Sequence, residues 1–285
     1  ESWKKSGDNW YWLDDNGEMA VDTLVEDDDN YYYVNENGAM VSNQWVAIEN
    51  EDAGEDDEPD HYWYYFQANG KAYKRSDSAS DTSISAKTIN GKKYAFDTDG
   101  RMLYGWVDAG ERQTDDDAWK TCQYYFGDED DGAMSEGWRL ISITDDEAED
   151  AQPGDEFWDE DQDRWFFFQA SGKKKAAKDG ESYTDKTING KKYEFDQYGA
   201  MTAEWSLDVD TASTSGLRGD NATATHSVSA QYAKQWRYFQ DVENGARVSK
   251  GWFKVVSAEY INEEKYNDDE DFWYYADGSG NLYAG

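Results

Sequence analysis

The sequence predicts an all-β fold in which about nine tandem aromatic β-hairpins stack into an elongated solenoid. Two observations indicate this class: a short aromatic motif recurs along the whole chain, and the composition suits thin repeating units. Only 38% of the 285 residues are hydrophobic, and 14 Trp, 22 Tyr and 11 Phe supply much of that share. Aliphatic residues are too few for a thick two-layer core, whereas a disordered chain would contain few aromatic residues. Repeat proteins meet both conditions, because each unit buries a few large side chains against its neighbours.

The repeat consists of an aromatic cluster, a Gly four to six residues after the last member of that cluster, and often a Met shortly after the Gly. The nine clusters begin at Trp10, Tyr31, Trp63, Tyr94, Tyr124, Trp165, Tyr193, Trp236 and Trp273. A longer period is also present, because segment 87–94 recurs unchanged at 186–193. Three hairpins therefore make a larger unit, which is duplicated in tandem.

Each repeat is predicted to form one β-hairpin of a single array. The predicted boundaries are 1–20, 21–41, 42–75, 84–103, 104–135, 136–175, 183–202, 203–249 and 250–285. Asn90-Gly91 lies between β-favouring segments and predicts a tight turn, because both turn residues need a positive φ. Other hairpins have long acidic insertions instead, at 49–60, 108–118, 144–163 and 262–271. A lone hairpin is marginal in water, so stacking on neighbours supplies the stability.

Alternation along the second strands predicts two faces with different roles. One face is aromatic or apolar in nearly every copy, as at Tyr64 and Phe66, and is expected to form the core. The opposite face is aromatic in some copies but carries Lys93 or Glu194 in the Asn-Gly copies, so folding does not require aromatic residues there. Where that face stays aromatic, and a Trp opens the first strand, several rings can converge. Such rings attract quaternary ammonium groups or stack on sugars; alternatively, each Trp simply fills space between hairpins.

The net charge restricts the partners that the chain can bind. The net charge of −36, from 63 acidic and 27 basic residues, repels nucleic acid and anionic membranes, and leaves neutral ligands and cations. Cys122 is the only cysteine, so no intrachain disulfide is expected. No apolar run is long enough to insert into a membrane, and we expect no part of this sequence to be a signal peptide. Because the chain opens and closes inside repeat-like sequence, we expect it to be covalently attached to other domains of a longer chain.

The pattern of Gly105-Trp106, then Tyr124-Tyr125-Phe126, then Gly132 and Met134 resembles the cell-wall-binding repeats, a group that includes the choline-binding repeats. It is similar also to the glucan-binding repeats of glucosyltransferases and the repetitive oligopeptides of clostridial toxins. The resemblance implies a hairpin solenoid that binds choline on teichoic acid, or glucans and other glycans, between successive hairpins. By position it implies fourteen ligand-binding candidates: Trp45, Trp63, Tyr65, Trp106, Tyr125, Trp138, Trp165, Phe167, Trp205, Trp236, Tyr238, Trp252, Trp273 and Tyr275. This chain departs from the family at Lys93, Gln123 and Lys192, where the family often has Trp.

These observations predict a non-catalytic carbohydrate-binding module of a larger bacterial protein that is secreted or held at the cell surface. A neutral glucan or cell-wall glycan is the first expectation, because the negative charge suits choline but not its polyanionic teichoic carrier. A choline-binding anchor is the alternative, and a structural or adhesin stalk without a small ligand is the third hypothesis. An enzyme is not expected, since carboxylates are abundant but no motif selects a catalytic pair.

No cofactor is predicted from the sequence. His61 and His226 lack the spacing of a zinc site. Acidic runs at 27–29, 145–146 and 159–161 could hold calcium, but none has the spacing of a calcium-binding loop, so solvated charge is the simpler interpretation.

Overall fold

A computed structural model describes residues 1–143, 162–181, 183–207, 236–258 and 261–283. The chain divides into two compact units: unit 1 comprises residues 1–115 and 122–135, and unit 2 comprises residues 116–121 and 136–285. The described strands form nine small antiparallel sheets, of which one has three strands and the others two. The predicted all-β class of tandem hairpins is therefore confirmed.

Unit 1 holds five hairpins in chain order. They are hairpin 1 with β1 (Ser2–Ser6) and β2 (Asn9–Leu13), hairpin 2 with β3 (Thr23–Asp27) and β4 (Asn30–Val34), hairpin 3 with β5 (Gln44–Glu49) and β6 (His61–Phe66), hairpin 4 with β7 (Lys87–Ile89) and β8 (Lys92–Tyr94), and hairpin 5 with β9 (Gly105–Asp108), β10 (Glu111–Arg112) and β11 (Tyr124–Phe126).

Unit 2 holds four hairpins and two short helices. They are α1 (Ala118–Thr121), hairpin 6 with β12 (Gly137–Ile143) and β13 (Gln162–Phe168), hairpin 7 with β14 (Tyr183–Ile188) and β15 (Lys191–Asp196), hairpin 8 with β16 (Glu204–Leu207) and β17 (Trp236–Phe239), and hairpin 9 with β18 (Gly251–Val256), α2 (Glu263–Asn267) and β19 (Asp271–Ala276).

The Asn-Gly turns form as the sequence predicts. Asn90 and Gly91 have φ values of 50° and 82°, and they connect the paired residues Ile89 and Lys92. Asn189 repeats this conformation in hairpin 7. These two hairpins are tight because a two-residue turn with positive φ at both positions matches the twist of the flanking strands.

Some acidic insertions hold elements that the sequence did not predict. In the 108–118 insertion, β10 pairs with β9 through Arg112 and Val107. In the 262–271 insertion, the Asn262 side chain accepts a hydrogen bond from the backbone N–H of Lys265 and so caps α2. The 144–163 insertion lies outside the described residues up to 161.

After each second strand the chain turns back at the repeat Gly and forms one isolated bridge to the end of that strand. The nine bridges are Leu13–Met19, Val34–Met40, Phe66–Ala72, Phe96–Met102, Phe126–Met134, Phe168–Lys174, Phe195–Met201, Phe239–Arg247 and Ala276–Leu282. The repeat Met of the sequence motif thus marks a defined structural position, which we call the bridge residue.

The bridge residue also connects consecutive hairpins within a unit. In unit 1, the backbone N–H of Met102 donates to the carbonyl oxygen of Trp63 on the preceding hairpin at 2.8 Å. In unit 2, the N–H of Met201 donates to the carbonyl of Trp165 at 2.9 Å. Hairpins 3 and 4, and likewise hairpins 6 and 7, are therefore hydrogen-bonded to each other, and side chains of one hairpin lie in a defined position relative to those of the next.

The face that the sequence predicts to be the core is the buried face in most hairpins, but Trp12 and Trp236 of the opposite face are buried as well. Phe66, Phe126, Phe168, Phe195 and Phe239 are all buried at the end of their second strands. Their row forms the continuous interior of each unit, as expected for stacked hairpins. Among the residues that the structure describes, no helix combines the length and the apolar character needed to cross a membrane.

Candidate functional site

Aromatic rings from two consecutive hairpins converge in unit 2. Trp138 on β12 pairs across the sheet with Phe167 on β13, and their ring centroids lie 5.3 Å apart. Trp165, two residues earlier on the same face of β13, lies 6.3 Å from Trp138. Tyr193 from hairpin 7 meets the Trp138 ring edge-on at 4.8 Å. The alternation of the strand and the stacking of hairpins 6 and 7 together produce this arrangement.

These rings border a small cleft of about 210 Å³. Its walls are Trp138, Trp165, Tyr193 and Met201, and its rim includes Glu243 and Asn244. The cleft is accessible to solvent, since Trp138, Trp165 and Tyr193 are only partly buried. We call this set of residues the unit 2 aromatic cleft.

The unit 2 aromatic cleft is chemically suited to a small organic cation. The negative faces of indole and phenol rings attract an ammonium group, by about 0.5–2 kcal/mol for each contact. The thioether of Met201 adds a polarisable apolar wall. Glu243 adds a negative charge at the rim, and none of the described residues that line the cleft is positively charged, so anions are disfavoured.

Hairpins 3 and 4 build the equivalent arrangement in unit 1. Trp45 lies 5.2 Å from its cross-strand partner Tyr65 and 4.9 Å from Tyr94 of the next hairpin. Trp63 stands where Trp165 stands in unit 2, and Met102 is the matching bridge residue. The duplicated three-hairpin pattern of the sequence therefore yields two related aromatic sites.

The two sites differ in the group that contacts the Trp of the second strand, which is Trp63 in unit 1 and Trp165 in unit 2. In unit 1 the Asp130 carboxylate accepts a hydrogen bond from Trp63 Nε1 at 3.3 Å and pairs with His61 Nε2 at 2.9 Å. These contacts with Trp63 and His61 hold the pKa of the Asp130 carboxyl below its ordinary value. Next to it, the Asp131 carboxylate accepts from the Tyr94 hydroxyl and pairs with Lys92. The Asp130 carboxylate thus lies against the indole whose counterpart is a wall of the unit 2 aromatic cleft.

Hairpins 1 and 2 repeat the ring geometry. Trp3 lies 5.2 Å from Trp12 and 5.1 Å from Tyr32, and Met40 packs against the same cluster. Trp3 and Trp12 are not among the fourteen candidates predicted from the sequence. The signal was available, because both fit the same strand alternation as Trp45 and Tyr65.

Three of the fourteen candidates lie in the interior. The exposed fractions of Trp106, Trp205 and Trp236 are 9%, 5% and 0%. Trp205 also donates Nε1–H to the carbonyl of Val256 at 2.7 Å. These three side chains are therefore buried in the packing of the hairpins and do not line the unit 2 aromatic cleft.

Other candidates are widely exposed on hairpin 9. Trp252 and Trp273 have exposed fractions of 68% and 63%. The Tyr275 ring lies 5.2 Å from Trp252 and 5.2 Å from Tyr283. This surface is open rather than cleft-like.

The two candidates that remain each contact one of the buried Trp side chains. Tyr125 lies against Trp106 at 5.0 Å, and Tyr238 lies against Trp205 at 5.0 Å. Tyr193 and Met201 are not among the predicted candidates, because strand alternation predicts that Tyr193 lies on the core face and Met201 is only the Met of the repeat motif. Glu243 is not among them either, because a loop gives no periodic signal.

A larger groove of about 810 Å³ lies elsewhere in unit 1 and is polar. The guanidinium groups of Arg101 and Arg112 lie over the rings of Tyr62 and Tyr104, at 4.7 Å and 4.5 Å from their centroids. These tyrosine faces are already occupied by cations, so the groove does not offer free rings to a quaternary ammonium group.

The calcium and zinc candidates lie partly outside the described residues. This applies to the acidic runs 145–146 and 159–161, and to His226. Within the described part of the chain, no group of three or more His, Cys, Asp or Glu side chains is arranged to hold a metal ion. Cys122 is buried as a free thiol.

Residues 1–45 match the family model described as choline-binding repeat. The match covers hairpins 1 and 2 and the start of β5. The predicted resemblance to the choline-binding group of cell-wall-binding repeats is therefore confirmed. No curated protein sequence matches the chain significantly.

Several solved structures are similar to this chain. Choline-binding protein F from Streptococcus pneumoniae has 20% identity over 98% of this chain and 92% of its own, with a TM-score of 0.40. The choline-binding domain of CbpL from the same organism has 15% identity over 99% and 97%, with a TM-score of 0.42. The modular autolysin LytC of that organism has 14% identity over all of this chain, with a TM-score of 0.39, but the chain covers only 47% of that structure. The chain thus spans about half the length of that relative.

Proposed function

We propose that this chain is a non-catalytic cell-wall-binding module that holds quaternary ammonium groups, the choline substituents of a wall polymer, in aromatic clefts between hairpins. The observation that carries the proposal is the unit 2 aromatic cleft, where Trp138, Trp165, Tyr193 and Met201 surround about 210 Å³ beside a carboxylate. The match of residues 1–45 to the choline-binding repeat supports the same ligand.

The size of the cleft favours a small ligand. Pockets for drug-sized molecules usually measure about 300–1,000 Å³, so this cleft suits a single ammonium head group better than a chain of sugar rings. A trimethylammonium group needs no hydrogen-bond donors, and the four walls of the cleft are mainly aromatic or apolar. Weak attraction at each ring gives a weak single site.

Weak sites become useful when several act together. A wall polymer carries its choline groups on one molecule, so binding at one site raises the effective concentration at the next. We propose that this avidity holds a larger protein, of which the chain is a part, at the bacterial cell surface. Any catalytic activity would then reside outside the binding module.

Binding of a neutral glucan, the first expectation from the sequence, is the second candidate. The family match and the small cleft favour choline instead. The exposed aromatic surface of hairpin 9 is the observation that supports a glucan, because the flat faces of Trp252 and Trp273 are free to stack on sugar rings.

Calorimetric titration of the full chain with choline chloride tests the proposal. We expect heat of binding in the millimolar range, and we expect Trp138→Ala to remove one site. Trp252→Ala is the matched control, because Trp252 holds the equivalent position in hairpin 9 and lies outside the cleft. Absence of choline binding by the unmodified chain would refute the proposal.

A pull-down on insoluble starch and on purified walls, with and without free choline, separates the two candidates. Retention on walls that choline releases, and that Trp138→Ala weakens, is expected for the choline-binding module. Retention on starch that Trp252→Ala weakens and choline leaves unchanged would establish the glucan candidate instead.

A further inference from the structure

The same loop follows hairpin 5 in unit 1 and hairpin 8 in unit 2. In unit 1 the Asp128 side chain accepts hydrogen bonds from the backbone N–H groups of Asp130 and Asp131, at 3.0 and 2.9 Å. In unit 2 the Asp241 side chain accepts from Glu243 and Asn244, at 3.0 and 2.8 Å. Both loops end at the repeat Gly, so Asp130 and Glu243 are equivalent residues. We call them the loop carboxylates.

Each loop carboxylate reaches the aromatic site built two hairpins earlier. Asp130 lies against Trp63 of hairpin 3, and Glu243 borders the cleft beside Trp165 of hairpin 6. Because Trp63 and Trp165 are themselves equivalent, each unit has a loop carboxylate at its copy of this aromatic site.

The two carboxylates are engaged differently. Asp130 is held by both Trp63 Nε1 and His61 Nε2. Among the described residues, the Glu243 carboxylate makes no hydrogen bond or ion pair. In keeping with this, Trp165 Nε1 is buried without an acceptor in the described structure, whereas the corresponding atom of Trp63 donates to Asp130.

One difference between the two copies bears directly on this contact. His61 stands two residues before Trp63, whereas Asp163 stands two residues before Trp165. A histidine can donate to the loop carboxylate, but a second carboxylate repels it. The Asp163 carboxylate instead accepts a hydrogen bond from the Ser142 hydroxyl. Unit 1 therefore has a clamp for its loop carboxylate, and unit 2 has none.

We propose, as an extension of the proposed function, that the loop carboxylate determines which aromatic sites are open to a ligand and which ligand charge they favour. In unit 2, Glu243 is the counter-ion of the bound ammonium group. In unit 1, the clamped Asp130 closes the site around Trp63. The two aromatic sites of the duplicated sequence therefore bind different numbers of ligands.

Two ligands of the same shape test the role of Glu243. Choline and its uncharged isostere 3,3-dimethyl-1-butanol are titrated calorimetrically into the full chain and into Glu243→Gln. We expect the substitution to weaken choline binding by about two- to fivefold, the effect of one partly solvated ion pair, and to leave the isostere unchanged. Glu129→Gln is the control, because it removes an exposed charge from the equivalent loop of unit 1. Equal effects on both ligands, or none on either, would overturn the counter-ion role.

Asp130→Ala tests the clamp. Removing this exposed side chain should leave the fold intact, as circular dichroism would check, and should raise the choline stoichiometry by one site per chain. Glu129→Ala on the same loop should leave the stoichiometry unchanged. An unaltered stoichiometry in Asp130→Ala would show that Asp130 does not close the site.

The outcomes separate this inference from the proposed function. If the chain binds choline and Trp138→Ala removes one site, the proposed function stands whatever Glu243→Gln and Asp130→Ala do. If the chain binds no choline at all, both proposals fail together.

Discussion

Trp138 and Trp205 hold equivalent positions at the start of hairpins 6 and 8, yet their surroundings differ. Trp138 is partly exposed beside the unit 2 aromatic cleft. Trp205 is buried, with Tyr238 and Tyr274 each 5.0 Å away and Val256 accepting its indole N–H. Hairpin 9 covers Trp205, so this Trp is part of the core of unit 2.

We therefore expect Trp205→Ala to act on stability. Removal of a buried Trp typically costs about 3–5 kcal/mol, so the free energy of unfolding of unit 2 should fall by this order. The choline affinity of the cleft in the folded protein should stay unchanged, whereas Trp138→Ala should lower affinity more than stability. Urea denaturation and calorimetry on both variants measure the two effects. A Trp205→Ala protein of normal stability that binds fewer choline molecules would contradict the packing role.

The pH dependence of stability should contain a contribution from Asp196. Burial raises the pKa of Asp196 to about 6, although its carboxylate accepts backbone N–H bonds from Tyr198 and Ala200. The ordinary pKa of Asp, which applies in the unfolded chain, is about 3.9, so between these values the folded state binds more protons than the unfolded state. The free energy of unfolding should thus fall as the pH rises from about 4 to about 6, by up to about 3 kcal/mol.

Asp196→Asn isolates this contribution from the rest of the acidic chain. The amide oxygen can still accept the two turn hydrogen bonds but does not titrate, so the fall in stability between about pH 4 and 6 should shrink in the variant. Urea denaturation at several pH values makes the comparison. Identical pH profiles for the variant and the unmodified chain would exclude the role of Asp196.

Alternation along a strand predicted the faces of these residues but not their accessibility. It placed the Phe row in the core, as at Phe66 and Phe195, and the structure confirms this. It could not show that Trp205 is covered or that Tyr193 borders a cleft, because both depend on how far the next hairpin lies over the preceding one. That relation depends on contacts between residues far apart in sequence.

At the scale of the element, one turn closes most repeats. The residue after the partner of the bridge residue is an Asp or Asn whose side chain accepts backbone N–H bonds from the residues two and four positions later. The structure shows this at Asp14, Asn35, Asp97, Asp196 and Asp277. This turn returns the chain at the repeat Gly and so positions the bridge residue that contacts the preceding hairpin.

Asn35 offers a clean test of this turn. Its side chain accepts from the N–H groups of Asn37 and Ala39, at 2.9 and 3.1 Å. Asn35→Ala should lower the free energy of unfolding of unit 1 by about 1 kcal/mol, the typical effect of losing a side-chain acceptor for backbone N–H groups. Asn35→Asp should be tolerated, because Asp holds the same position in other repeats. Urea denaturation of the two variants measures this difference. Equal losses in the free energy of unfolding would show that the side-chain oxygen of residue 35 does not stabilise the turn.

The elements that the sequence predicted are those with local causes. Asn90-Gly91 defines its hairpin through the φ preferences of two residues, and the structure has that turn. By contrast, α1 is stabilised by distant contacts: the Lys174 ammonium donates to the carbonyls of Trp119 and Lys120, and Trp119 packs edge-on against Phe166. No periodic pattern in the 108–118 insertion or in α1 could have indicated this packing.

At the scale of the whole molecule, the charge of −36 acts in opposite directions on a free cation and on a polymer that carries it. The field of the chain attracts free choline toward the clefts. The same field repels a teichoic polymer, whose backbone phosphates are negative. Because of this conflict, the sequence favours a neutral glucan as the ligand. The conflict also predicts that salt affects the binding of free choline and the binding of the polymer differently.

We expect the affinity for free choline to fall as salt is raised from about 10 to about 100 mM, because the Debye length shrinks from about 30 to about 10 Å and the attraction is screened. Retention on choline-bearing walls should rise over the same range, since screening relieves the repulsion between two polyanions while the aromatic contacts inside the clefts are little affected. Calorimetry measures the first quantity and a wall pull-down the second, with walls freed of choline as the control. If both fell together, attraction of the choline cations would outweigh repulsion of the polymer even at long range. The net charge would then assist capture of the polymer, and the charge-based preference for a neutral glucan would lose its basis.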